Sequence, residues 1–328
     1  MQVTHKKQEQ TDLLRKLEQL GFLKLSDFPR EDFCDYQKYI KHPDLTYSLL
    51  YAWEPEYSYR IKILCGNPVI VGFEIPGQLF FSVIPVHAET LLESVQTAAE
   101  LFRQFQVDVT LKYISSEYVN LFERKGFELT FHPDFSDYIY VVHDFIDTVG
   151  NQNKGKRHEY QNITKRYAIR RYEDMSESNY EDMLTIFDQW CQSRSCALCV
   201  WGCEKKAFLR LMELVHQYPE DYCCGIVYLD HVPMSFGIAE KINQEWVAYH
   251  VQKNAMSVNG LTYYLHHCMA LKHMEIPYIN WGEDMGIEGL RVNKQKYHPY
   301  RMEHKYQICF RYVKTSQDML GQEGEEPF

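Results

Sequence analysis

The sequence predicts a mixed α/β protein of the α+β kind, built as two domains in tandem. Each is expected to be a mostly antiparallel mixed sheet flanked by helices. Three observations lead there. The 328 residues exceed one ordinary domain and suit two. The order of elements in the first half (hairpin strands, then helix, strand, helix and strand) returns in the second. Finally, that order is not the plain alternation of a dinucleotide-binding fold, no G-x-G-x-x-G opens a helix, and no Walker A motif occurs.

The elements follow from local patterns. Leu13, Leu14, Leu17 and Leu20 recur at helical spacing before Gly21, which predicts an amphipathic helix over 8–20. Residues 30–50 are aromatic and mixed, and read as partly helical. Positions 59–65 alternate, Gly66-Asn67-Pro68 turns, and 69–73 returns; Pro76-Gly77 turns again into a strand over 79–84. Leu91, Leu92, Val95, Ala98, Leu101 and Phe102 share one face of a helix over 88–105. A strand at 107–114, a short helix at 117–125 closed by Gly126, and strands at 127–131 and 138–142 complete the half. The polar run 147–154 is read as the domain boundary. Beyond it the patterns give helices over 155–167, 177–191, 207–216 and 260–273. Strands are expected at 168–172, 223–229, 232–241, 245–252, 278–281 and 306–312, with Asp230-His231 as a hairpin turn. The expected division is therefore an N-terminal helix in 1–24, a first domain over 25–149, a second over 150–314 and a flexible acidic tail over 315–328.

Composition narrows the function. Apolar residues at 45% and charged residues at 24% exclude a wholly disordered chain. A net charge of −10 argues against a general coat for nucleic acid or anionic membrane, while leaving room for local basic patches. No apolar run approaches the ~20 residues that span a bilayer, and the first residues lack a signal peptide's apolar stretch, so a cytoplasmic protein is expected. The ten cysteines are scattered in a chain large enough to need no disulfide framework.

The densest chemistry lies in Asn280-Trp281-Gly282-Glu283-Asp284-Met285-Gly286-Ile287-Glu288-Gly289-Leu290-Arg291, followed by Lys294, Lys296 and Tyr297. Three carboxylates, an arginine and two lysines fall within 14 residues, among glycines that allow unusual backbone angles. Such a loop can hold opposite charges against a polar substrate, or simply pair its own charges at the surface. A basic stretch holds Lys154, Lys156, Arg157, Lys165, Arg166, Arg170 and Arg171 within 18 residues, with Tyr160 and Tyr167 interleaved. It is read either as a solvated face or as a surface for the phosphates of a tRNA acceptor arm or a CoA. Cys191, Cys196, Cys199 and Cys203 have a spacing that metal sites use, but buried cysteines near Trp190 and Trp201 are the preferred reading, and no metal is expected.

The run Glu283-Asp284-x-Gly286-Ile287-x-Gly289-Leu290-Arg291-x-x-Lys294-x-x-Tyr297-x-Pro299 resembles the C-terminal domain of phosphatidylglycerol lysyltransferases. Supporting pieces are Ser48-x-x-Tyr51-x-Trp53, Asp137-Tyr138-Ile139-Tyr140 with Gly150 and Lys156-Arg157, Phe236-Gly237-Ile238-Ala239-Glu240, Val251-Gln252-Lys253 and Gly260. The resemblance spans about residues 25–312. It implies a tandem of two GNAT-type acyltransferase domains, a fold shared with Fem-type aminoacyl transferases. It also implies transfer of an aminoacyl group from aminoacyl-tRNA to a hydroxyl or amine acceptor: a lipid headgroup, a peptide or a small amine.

Such transfer needs a group to deprotonate the acceptor, stabilisation of an oxyanion and an anchor for the donor's ammonium. Glu240, Asp284 and Arg291 are the catalytic candidates. Glu240 ends the strand row Met234, Phe236, Ile238 and is read as a carboxylate at a core edge, though a solvated strand end is also open. Lys156, Arg157, Lys253, Glu283, Lys294 and Tyr297 are the candidates for substrate binding. Gly260, at a helix start, would serve acetyl-CoA in the alternative reading of an N-acyltransferase for small amines. No cofactor is firmly expected. A third reading, a non-catalytic ligand binder, draws on Trp281-Gly282 and on Gln252, which stands where glutamate is usual in the family.

Overall fold

The structure, a computed structural model, describes residues 2–74, 77–151, 153–193 and 203–313. The chain runs α1 (Gln2–Gln19), β1 (Leu23–Lys24), α2 (Arg30–Cys34), α3 (Tyr47–Tyr57), β2 (Arg60–Leu64), β3 (Asn67–Glu74), β4 (Gln78–Val83), α4 (Leu91–Arg103), β5 (Val109–Ser115), α5 (Val119–Glu123), β6 (Thr130–Phe131), β7 (Asp137–Val141) and α6 (His143–Ile146). It continues through α7 (Lys154–Arg166), β8 (Arg170–Asp174), α8 (Tyr180–Gln192), α9 (Glu204–Gln217), β9 (Tyr222–Leu229), β10 (Val232–Lys241), β11 (Trp246–Asn254), α10 (Leu261–Leu271), β12 (Tyr278–Asn280), α11 (Glu288–Gln295), β13 (Arg301–Glu303) and β14 (Lys305–Phe310). Two seven-stranded mixed sheets result, as expected for a tandem GNAT-type protein.

Two compact units hold these sheets, and each is assembled from separate stretches of chain. One takes the chain up to Phe28, Tyr57–Phe131 and the chain from Tyr306 on; the other takes Pro29–Glu56 and His132–Lys305. The first unit's sheet has the order β1-β2-β3-β4-β5-β14-β6. Val69, Val71, Phe73 and Phe81 point from it onto Leu91, Val95, Ala98 and Phe102 of α4, whose apolar spacing marked it in the sequence.

The second unit's sheet has the order β13-β7-β12-β11-β10-β9-β8. Asp230 and His231, both at positive φ, form the tight turn that joins β9 to β10. Tyr138, Tyr140, Val247 and Tyr249 face one layer, with Phe145 of α6, Ile163 of α7 and Leu261, Leu265 and Met269 of α10. Phe236 and Ile238 face the other, with Ala52 of α3, Phe187 of α8 and Phe208 and Leu211 of α9. β11 and β12 run parallel and pair only at Trp246–Tyr278, Val247–Ile279 and Ala248–Asn280. Beyond these pairs β11 continues to Asn254, while β12 ends and gives way to the Trp281–Ile287 loop.

The division expected at 149/150 falls inside the second unit. The strand assigned to the end of the first domain, β7, lies between β12 and β13 in the second unit's sheet. The strand assigned to close the second domain, β14, lies between β5 and β6 in the first unit's sheet. Residues 29–56 also belong to the second unit. The reason is physical: alternation marks a half-buried strand, but either sheet satisfies its backbone hydrogen bonds equally well. α6, α11 and β13 were not read from the sequence at all. The expected tail, 315–328, lies outside the described residues.

Candidate active site

The Asn280–Arg291 loop starts where β12 ends and puts consecutive carboxylates to opposite uses. Asp284 is buried and accepts from Arg291 Nε at 3.0 Å and Nη2 at 2.9 Å, and from Tyr138 Oη at 2.6 Å. Gly286 N–H donates to it at 2.9 Å, and Met285 and Gly286 both take positive φ to make that turn. Arg291 Nη2 also reaches Asp134 at 2.6 Å. Burial pushes Asp284 up, but its hydrogen bonds from Arg291 and Tyr138 outweigh this and hold it at about 2. Asp284 is thus a fixed anion that ties the loop to α11 and β7. Lys294, one turn beyond Arg291 on α11, is buried and donates to the carbonyls of Trp281 and Glu283 at 2.6 and 2.7 Å. Burial draws its pKa down to about 8.

Glu283 turns the other way, into a cluster that sequence reasoning missed. Lys305 Nζ lies 2.7 Å from Glu283, 2.6 Å from Asp44 and 2.8 Å from Asp137. His42 Nδ1 lies 3.0 Å from the second oxygen of Asp137, and Asn280 Nδ2 donates to that oxygen at 3.3 Å. The three acids are spaced as cation ligands are, and the ammonium of Lys305 pairs with all three. Burial pushes Asp137 up, but Lys305 and His42 outweigh it and bring it to about 2. For Glu283 burial wins over Lys305, with Asp44 and Asp137 adding to it, and its pKa is pushed up to about 7. Lys305 pairs with all three carboxylates, and with Lys294 near Asp137 and Glu283 the acids still outnumber the lysines by one.

One rung of the sheet links this cluster to Glu240. Glu240 of β10 lies opposite Ala248 of β11, which lies opposite Asn280 of β12. That places Glu240 about two strand spacings, roughly 10 Å, from Asn280. Glu240 is buried, not a solvated strand end. Its Oε2 lies 2.6 Å from His250 Nε2, and its Oε1 accepts from Gln37 Nε2 at 3.1 Å. Across the next strand, Ser48 Oγ, from the early motif, meets Tyr222 Oη at 2.6 Å. The segment 29–56 thus lays a polar seam over this face through Gln37, His42, Asp44 and Ser48. On the opposite face, His266 of α10 lies between the rings of Tyr249 and Trp281, at 5.1 and 4.0 Å. Burial lowers its pKa to about 3, so it is neutral.

The remaining candidates lie elsewhere. Lys156 is buried, donates to the Asp144 carbonyl at 3.1 Å and covers the Phe145 ring; it is not part of an exposed basic face. Arg157 donates to the carbonyls of Thr148 and Gly150 and closes that loop. Lys154, Lys165, Arg166 and Arg171 stay exposed. Lys253 pairs with Glu204 at 2.6 Å over the Trp190 ring. Tyr297 Oη donates to Glu159 at 3.0 Å. Gly260, at φ +88°, precedes α10 so closely packed on α7 that an added Cβ would meet the Glu159 carbonyl oxygen at 2.3 Å. Gln252 and Asn254 both donate to Thr262 in the first turn of α10. Of the cysteine set, Cys196 and Cys199 lie outside the described residues; Cys191 is half-buried and Cys203 is exposed.

Asp137 and Asn280 had a signal in the sequence: Asp137 heads a stretch that supports the resemblance, and Asn280 heads the stretch densest in chemistry. His42, Asp44, His250 and Lys305 had none, because they lie in segments without a motif and meet only through the fold.

Two mixed sheets, with a charged glycine-bent loop where two parallel strands part, make up a tandem GNAT-type fold. The chain belongs to the family of the phosphatidylglycerol lysyltransferase C-terminal domain, whose model matches residues 37–309. Among solved structures it is similar to a conserved protein of unknown function from Bacteroides thetaiotaomicron, with 21% identity, 87% of this chain and 98% of that chain covered, and a TM-score of 0.75. It is also similar to the C-terminal DUF2156 domain of an Agrobacterium fabrum protein (12% identity, 90% and 96% covered, TM-score 0.63) and to L-PGS of Bacillus licheniformis (14%, 88% and 94%, 0.60). At these identities the likeness establishes the fold. A comparison with curated proteins finds none that matches. No helix among the described residues is long and apolar enough to cross a membrane.

Proposed function

We propose that this protein transfers an aminoacyl group from an aminoacyl-tRNA to a hydroxyl or amine acceptor. The observation that carries the reading is the charge deficit around Lys305. An aminoacyl ester differs from an acetyl thioester in carrying an ammonium. Asp44, Asp137 and Glu283 share a single lysine, and Glu283 keeps its proton up to about pH 7. An arriving ammonium can replace that proton, so the cluster favours a cationic donor over a neutral acyl group. Asp284, Arg291 and Lys294 hold the loop that carries Glu283, which makes them positioning residues in this account.

The acetyl-CoA alternative is less well supported. A pyrophosphate would need free N–H groups at the start of α10. Gly260 there is pressed against the Glu159 carbonyl, and the Thr262 side chain is engaged by Gln252 and Asn254. A non-catalytic reading draws on His266, whose ring fills the space between Tyr249 and Trp281.

The test is transfer of radiolabelled amino acids from charged tRNAs to phosphatidylglycerol vesicles, peptides and small amines. Transfer to any of them supports the proposal. Binding of charged tRNA without transfer favours the non-catalytic reading. Failure of every charged tRNA to bind at low salt overturns the proposal, and calorimetric binding of acetyl-CoA would then favour the alternative.

A further inference from the structure

We propose that His250 is the base that takes the acceptor's proton, with Glu240 as its positioning residue; this rests on the aminoacyl-transfer reading. The argument starts from the register of β10 and β11. Ile238 pairs with Val251 and Ala239 pairs with Tyr249, so His250 is an extra residue opposite none. A bulge of this kind re-aims the side chain it carries. It lies two residues past Ala248, the last residue of β11 paired with β12. The side chain is therefore presented where the two parallel strands part.

Its surroundings fix its chemistry. The His250 side chain is fully buried and Glu240 is 1% exposed. Glu240 Oε2 lies 2.6 Å from Nε2 while Gln37 Nε2 donates to the other carboxylate oxygen, and a carboxylate can only accept, so the hydrogen bond runs from Nε2–H. The neutral imidazole then carries its hydrogen on Nε2 and its lone pair on Nδ1. Nδ1 is buried and has no hydrogen-bond partner among the described residues. His266 also has unpartnered ring nitrogens, but no carboxylate sets its tautomer; at His250 the Glu240 contact fixes which nitrogen is basic, and that nitrogen is left without a donor that a ligand hydroxyl or amine would supply.

The step balances. The acceptor's O–H or N–H gives its proton to Nδ1 as its lone pair forms a bond to the ester carbonyl carbon. The tetrahedral species collapses with cleavage of the bond to the tRNA ribose oxygen. The imidazolium returns the proton from Nδ1 to that oxygen, leaving uncharged tRNA and an aminoacylated acceptor. Glu240, held by Gln37, keeps its hydrogen bond to Nε2 and steadies the imidazolium.

The test uses the full chain labelled with ¹⁵N-histidine. Long-range proton–nitrogen correlation, assigned by comparison with His250→Gln, should show the Nε2–H tautomer. In Glu240→Gln that preference should be lost, since an amide no longer demands a donor. With charged tRNA, His250→Gln should lower kcat by about 10²–10⁴-fold at unchanged KM for the donor, and Glu240→Gln should lower kcat less, again at unchanged KM. Should His250→Gln fail to fold, the tautomer and kcat of Glu240→Gln carry the test. An Nδ1–H tautomer in the wild type, or a folded His250→Gln with kcat within about threefold of wild type, overturns the inference. Those results leave aminoacyl transfer standing, whereas a wild-type protein inactive toward every acceptor removes the transfer reading and the base with it.

Discussion

Replacing Glu283 by glutamine isolates the electrostatic cost of the cluster around Lys305. A carboxyl moved from 4.5 to about 7 holds its proton about 3 kcal/mol more tightly in the folded protein, at 1.36 kcal/mol per pH unit. The sign follows from proton counts. Between about pH 4.5 and 7 the folded state keeps a proton that the unfolded chain has lost. Folding stability therefore falls as pH rises through this window and levels off above it. At pH 5 glutamine replaces a neutral acid, and the variant should differ little from the wild type on this account. At pH 8 glutamine replaces a buried anion, so the variant should have gained about 2–3 kcal/mol relative to the wild type. Urea unfolding at the two pH values measures this. All five tryptophans fall within 29–56 and 132–305, so their fluorescence reports the unit that holds the cluster. A variant-minus-wild-type difference that stays constant within about 0.5 kcal/mol between pH 5 and 8 would refute the charge-deficit argument.

Lys305→Met should act in the opposite direction, leaving three buried acids without their cation. A loss of about 3–5 kcal/mol at pH 8, with partial recovery toward pH 5, is expected in the same urea assay. Gly260→Ala should cost about 2–4 kcal/mol, because alanine meets both the positive φ and the Glu159 carbonyl; the urea midpoint reports it. Arg291→Lys cannot reproduce the two-nitrogen grip on Asp284 or the reach to Asp134. Transfer from charged tRNA should drop by about 10²-fold through misplacement of the loop, with little change in far-ultraviolet circular dichroism.

Local physics was legible in the sequence and pairing across distance was not. The leucine spacing before Gly21, the face of α4 and the Asp230-His231 turn each encode their own geometry within a few residues, and the structure shows them in place. The glycine-bent loop at 280–291 was readable too, as a place where charges gather. What could not be read was which charges meet. Lys156 looked like part of a basic face because its neighbours are basic. It is buried because α7 packs on α6 and α10, and the carbonyl of Asp144 accepts its hydrogen bond. Glu240 was singled out, but its partner His250 was not, since a one-residue slip between two strands leaves no mark in composition. Lys305 shows the same limit: its three acids come from positions 44, 137 and 283, brought together only by the finished sheet.

The interleaving of the two units has a consequence for biosynthesis. While a ribosome has made only the first 300 residues, neither sheet can be finished. The second unit still lacks β13, and the first lacks β14, the strand that joins β6 to β5. Both units wait for the same ten residues, 301–310, so the familiar scheme of one domain maturing while the next is translated is closed to this chain. A fragment cut at 149/150 would strand β7 away from its sheet and leave β6 with no neighbour, and nascent chains stalled short of residue 301 should be uniformly open to protease.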